Sequence, residues 1–178
     1  MDVILKHEPM TIPTYEPYAA NTLPFFLEKK AYQGATGRIY PVPYTDRLSN
    51  KPVDKEYDSY TLENEHVKVV LLPELGGKIH GAVDKHNNYE FIYQNTVIKP
   101  AMVGIAGPWV SGGVEFNWPQ HHRPTTFMPL EATPKKNADG SVTVWMGEAE
   151  PFHRMRGMVG ITVYPGRSYV EAKAVVYN

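Results

Sequence analysis

Proline distribution is the strongest constraint on this chain. Sixteen prolines in 178 residues, about 9% against an average near 5%, leave few windows for a long helix. Each interior proline removes a backbone donor and clashes with the preceding turn. The helix candidate is short, Leu23–Lys30. Residues 1–30 carry Pro9, Pro13, Pro17 and Pro24 and are expected to form an N-terminal Pro-rich segment that wraps over a surface or adds a short edge strand. From residue 31 short apolar runs alternate with turn residues, which is all-β grammar. Strands are predicted over Arg38–Tyr44, Tyr57–Glu63, Val67–Leu72, Lys78–Asp84 and Tyr89–Tyr93. Later come Leu130–Lys135 with Ser141–Gly147 around Asn137-Ala138-Asp139-Gly140, and Met155–Tyr164 with Ser168–Tyr177 around Pro165-Gly166. Short connections favour antiparallel neighbours, so the predicted fold is an antiparallel β-sandwich over residues 31–178, with Val67–Leu72 at its centre.

Eighteen basic and nineteen acidic residues give a net charge of -1. Nothing in that balance suits a phosphate backbone, so nucleic acid is not an expected partner. Without cysteine there is no disulfide framework, thiolate zinc site or cysteine nucleophile. The apolar run Val3-Ile4-Leu5 is too short for a signal-peptide core and no long apolar stretch follows, so a soluble, cytoplasmic protein without membrane contact is expected.

The richest chemistry lies in Gly112-Gly113-Val114-Glu115-Phe116-Asn117-Trp118-Pro119-Gln120-His121-His122-Arg123-Pro124, within the longest irregular stretch of the chain. On a strand, Glu115 and Asn117 share one face while Val114, Phe116 and Trp118 share the other. Pro119 ends regular pairing and leaves Gln120, His121, His122 and Arg123 at a strand end. Carboxylate, amide and imidazole groups beside Trp109 and Trp118 suit a sugar, whose C–H face stacks on aromatic rings while its hydroxyls pair with polar groups. The plainer alternative pairs Glu115 with Arg123 and leaves the histidines as turn caps. His80 alternates with Ile79 and Gly81 and faces either solvent or a groove, whereas Pro73–Lys78 reads as a turn. No metal is assigned: adjacent His121 and His122 point apart if extended, and no helical pair of ligands replaces them. Neither a G-x-S-x-G elbow around Ser111 nor a phosphate loop is present, and no cofactor is expected.

Through Leu72-Pro73-Glu74-Leu75-Gly76-Gly77-Lys78-Ile79 and through Gly107–Pro124, the chain resembles a bacterial domain-of-unknown-function family whose members commonly place this domain ahead of tetratricopeptide repeats. That family is similar to the galactose-mutarotase-like (aldose-epimerase-like) group. The resemblance implies that residues 31–178 are the front part of a β-supersandwich, incomplete at its C-terminus, with a concave sheet facing small-molecule carbohydrate. In the mutarotases a histidine is the general acid and a carboxylate from late in the domain the general base. This chain shows no counterpart of that late carboxylate after Tyr177; the local carboxylate Glu115, with His121 or His122 as the acid, is the catalytic set expected here. Trp109, Asn117, Trp118, Gln120, Arg123 and His80 would bind substrate. Glycoside hydrolysis and a non-catalytic interaction domain are the alternatives, and exposed sheet edges would favour a homodimer.

Overall fold

The computed structural model describes residues 2–20, 44–104, 107–117, 127–150 and 154–177. Its first sheet is an antiparallel meander of β1 (Ile4–Thr14), β2 (Val53–Glu63), β3 (Val67–Leu72), β4 (Lys78–Asp84) and β5 (Tyr89–Ile92), in that spatial order. A small hairpin of β6 (Ala101–Gly104) and β7 (Gly107–Trp109) follows. The second sheet is built from β8 (Glu131–Lys136), β9 (Val142–Ala149), β10 (Arg156–Val163) and β11 (Val170–Tyr177), with β8 and β11 at its edges.

The prolines within these strands fall on edges. Pro9 and Pro13 lie in β1 and Pro134 in β8, where one side of the ladder needs no N–H donor. β1 is nevertheless longer than the short strand expected: its 11 residues pair with β2 from Ile4↔Glu63 to Thr14↔Val53. That pairing carries β2 four residues ahead of the Tyr57 start. β3 and β4 have the expected limits. The helix over Leu23–Lys30 and the strand over Arg38–Tyr44, apart from Tyr44 itself, lie outside the described residues.

Between the sheets, Leu62, Val69, Leu71 and Ile79 meet Val144, Met146, Val159 and Ile161 in a continuous apolar core. Each such side chain stabilises the fold by about 1.5–3 kcal/mol through removal from water. Asn64, fully buried, stitches one end. Its Oδ1 accepts from the backbone N–H of His66 and Val67, while its Nδ2 donates to the carbonyls of Tyr164 and Arg167 in the β10–β11 turn, at 2.7 Å each.

The outer face of the first sheet is covered too. There Ile12, Tyr57 and Leu72 pack with Leu75, Ile98 and Val110, which arrive from the connections. Ile98 is held by paired backbone hydrogen bonds, Tyr15 N–H to the Ile98 carbonyl and Ile98 N–H to the Pro13 carbonyl, both 2.9 Å. The segment after β5 is thereby folded back across this face, and the site forms beneath it.

Candidate functional site

β4 begins in register, Leu72 opposite Lys78 and Leu71 opposite Ile79, but the pairing then jumps to Val70 opposite Gly81. His80 is the additional residue of a β-bulge. A bulge re-aims side chains locally. Its effect here is to let Ile79 and Ala82, three residues apart, both enter the inter-sheet core, while Lys78 and His80 face the covered outer side. Both are almost fully buried, at 2% and 3% exposure. Of the two faces the sequence left open to His80, solvent is excluded.

β5 pairs only with Ala82–Asp84, so the first half of β4 would have an open edge. The strap Gly107–Asn117 closes it. Ile79 and Val114 exchange backbone hydrogen bonds of 3.1 and 2.9 Å, and Gly113 N–H donates to the Tyr93 carbonyl at 2.7 Å. Over residues 113–117 the strap's strand pairing is a single bridge at Val114. Gly113 has φ 69°, and a Cβ there would overlap the Ile79 carbonyl and press on Lys78 Cε, so only glycine lets the strap approach this closely.

Two side chains pin the strap from below. Lys78 Nζ donates to the carbonyls of Val110 and Ser111 at 3.0 and 3.3 Å, and Asn95 Nδ2 donates to the Ser111 carbonyl at 2.7 Å. Within the strap, Trp109 Nε1 donates to Glu115 Oε2 at 2.7 Å. Burial lowers the Lys78 pKa to about 8, against the opposing pull of the Glu115 carboxylate. Burial, with a smaller contribution from the Lys78 charge, lowers His80 to about 4. At neutral pH a neutral imidazole and an ammonium therefore lie side by side beneath the strap.

Of the residues singled out from sequence, Trp109 and Glu115 are bonded to each other. His80 joins their neighbourhood through Lys78. Asn117 is exposed at the end of the strap. Trp118, Gln120, His121, His122 and Arg123 lie outside the described residues. Lys78 and Asn95 were missed. The signal for Lys78 was its place two residues before His80, on the same face of a strand flanked by apolar partners. Among the described residues, no three His, Asp or Glu side chains converge on a metal position, and no helix is long and apolar enough to cross a membrane.

These features define an antiparallel β-sandwich domain with a polar cluster buried beneath a glycine-hinged strap. The chain belongs to the domain of unknown function family DUF5107, whose model matches residues 35–178. It is also similar to the crystal structure of a TPR-domain containing protein from Parabacteroides distasonis, with 27% identity and a TM-score of 0.88 over 99% of this chain. This chain spans 29% of the length of that protein.

Proposed function

We propose that the domain binds carbohydrate at the strap, as a member of the mutarotase-like group. The observation that carries this reading is the Trp109–Glu115 hydrogen bond beside buried Lys78 and His80. The Trp109 indole offers a stacking surface and the Glu115 carboxyl group acceptors for a polyhydroxylated ring, while buried Lys78, beside buried His80, fixes the strap that carries them. In an aldose-epimerase-like reaction Glu115 would take the anomeric proton, while His121 or His122 would protonate the ring oxygen. His80 is unsuited to the acid role, since a group with pKa about 4 is deprotonated at neutral pH; at 3% exposure it would support the strap from beneath and not meet the sugar.

Calorimetric titration with a panel of mono- and oligosaccharides tests the reading. Saturable binding that weakens in Trp109→Ala and Glu115→Gln protein is expected, and no heat from any sugar with folded protein would overturn it. Polarimetry on fresh α-glucose or α-galactose then separates epimerisation from glycoside hydrolysis, which would instead release reducing ends.

A second reading, an interaction domain, is favoured by β11. Ala172 and Ala174 pair with Ile161 and Val159, which are 0% and 1% exposed, yet both alanines and Val176 are exposed. The core face of the second sheet thus continues onto an uncovered edge strand, a surface suited to pairing with a second copy. Light scattering after size-exclusion chromatography reads this directly.

A further inference from the structure

A separate platform lies on the opposite side of the sandwich, on the outer face of the second sheet. Trp145 alternates in β9 with Val144 and Met146, both completely buried in the core, so its indole points outward. Its cross-strand partner on β10 is Gly160. A Cβ at Gly160 would lie 2.9 Å from each of the indole atoms Cδ2, Cε3 and Cη2. Near-equal distances to atoms spread over the ring mean that the indole lies flat over the glycine, one face seated on the sheet and the other turned outward. The side chain is half-buried.

Beside it is a groove of about 230 Å³, bordered by Trp145, Met158, Glu131, Thr133 and Arg156. The polar groups come from both flanking strands. Thr133 is the direct partner of Trp145 on β8, and Glu131 lies two residues before it. From β10, the Arg156 guanidinium sits 5.4 Å from the centre of the Tyr177 ring, which holds it at the groove's end.

We infer that this groove is a binding site for a single pyranose ring, stacked on Trp145 and held by hydrogen bonds to Glu131, Thr133 and Arg156. A flat indole with one open face matches the C–H face of a sugar. A carboxylate that accepts, a guanidinium that donates and a hydroxyl that does both match vicinal hydroxyls. With Glu131 and Glu148 bordering the groove against Arg156 alone, a simple anion is not favoured over a neutral polyol. The volume falls below the roughly 300–1,000 Å³ of pockets for drug-sized ligands, which limits the occupant to one ring. The site shares no residue with the strap and stands whether or not the strap binds sugar.

The test uses the full chain labelled with fluorotryptophan. Its three tryptophans give separate ¹⁹F signals, assigned by single Trp→Phe variants, and the probes are methyl glucopyranosides, methyl galactopyranosides and their short oligosaccharides. The Trp145 signal is expected to shift saturably with at least one sugar. That response should survive Trp109→Ala, weaken about tenfold or more, worth about 1.4 kcal/mol, in Arg156→Ala, and stay absent with sorbitol, which has no ring to stack. A Trp145 signal unmoved by every sugar, moved equally by sorbitol, or insensitive to both Arg156→Ala and Glu131→Ala would overturn the proposal.

Discussion

The Trp109 indole N–H and the Glu115 carboxylate, six residues apart on one strap, meet at 2.7 Å. Between them lie Gly112 and Gly113, both at positive φ, which fold the strap so that its two ends face each other. Trp109→Phe keeps most of the ring and removes the donor. A hydrogen bond to a charged group contributes about 1.5–3 kcal/mol. A lower urea midpoint with an unchanged m-value is expected, and a midpoint equal to wild type would show that the bond does not hold the strap.

Lys78 makes stability rise with alkaline pH. Its folded pKa of about 8 lies below the ordinary 10.5, so between these values the unfolded chain binds more protons. The burial penalty on the ammonium is then progressively relieved as pH climbs from about 8 toward 10.5, by up to roughly 3 kcal/mol. Tyr57 and Tyr60, whose pKa values burial raises above 10, oppose this beyond about pH 10. Urea unfolding at pH 7 and pH 9.5 should give a wild-type gain that Lys78→Met lacks. Parallel pH profiles for the two proteins would sink the assignment.

Much of this architecture is legible in the amino-acid order. β3 and β4 are readable because apolar runs are bounded by Asn64 and by Pro73 through Gly77, residues that turn the chain for local reasons. The strap is legible only as a place rich in chemistry. Its pairing with Ile79 joins residues 35 positions apart, and no local periodicity encodes that contact. Lys78 hides for a related reason: a lysine after two glycines reads as the exposed end of a turn, until the Val110 and Ser111 carbonyls arrive from the distant strap to accept its hydrogen bonds. The bulge at His80 is equally silent, because it arises from matching β4 to β3 across the sheet.

His80 sets the acid limit. Its folded pKa of about 4 lies below the ordinary 6.5, so the unfolded chain binds the extra proton between those values. Stability is intact above pH 6.5 and falls as pH drops toward 4, by up to about 3 kcal/mol. His80→Gln should flatten this part of the profile. Loss of stability in the variant with the same slope between pH 6.5 and 4 would assign the acid sensitivity elsewhere.

Gly113→Ala tests the closeness of the strap. The new Cβ meets the Ile79 carbonyl at a backbone φ of 69°, so both the conformation and the space are wrong. A non-glycine residue held in such a region costs about 1–3 kcal/mol before any clash is counted. Amide exchange at Ile79 and Val114, which hydrogen-bond each other, is expected to accelerate more than exchange at the β2–β3 ladder. Uniform acceleration across both would mean that the strap and the sandwich open together.

β11 is the edge at which a second copy is expected to pair. Ala174 faces the same side as core residue Val159, its pairing partner, but remains exposed. A second copy pairing antiparallel about Ala172 would set Glu171 opposite Lys173 in both directions and bring Val170 opposite Ala174. Opposite charges directly across a strand pair contribute about 0.2–1 kcal/mol each, and the remaining stabilisation comes from covering the apolar face. Concentration-dependent association is expected by light scattering, lost in Ala174→Glu because that change places a carboxylate on the covered face with no partner. Lys173→Glu should weaken association through like-charge contact with Glu171, and Glu171→Lys added to it should restore it by exchanging the pair. A monodisperse monomer at high concentration, or association unaffected by Ala174→Glu, would show that β11 is not the pairing edge.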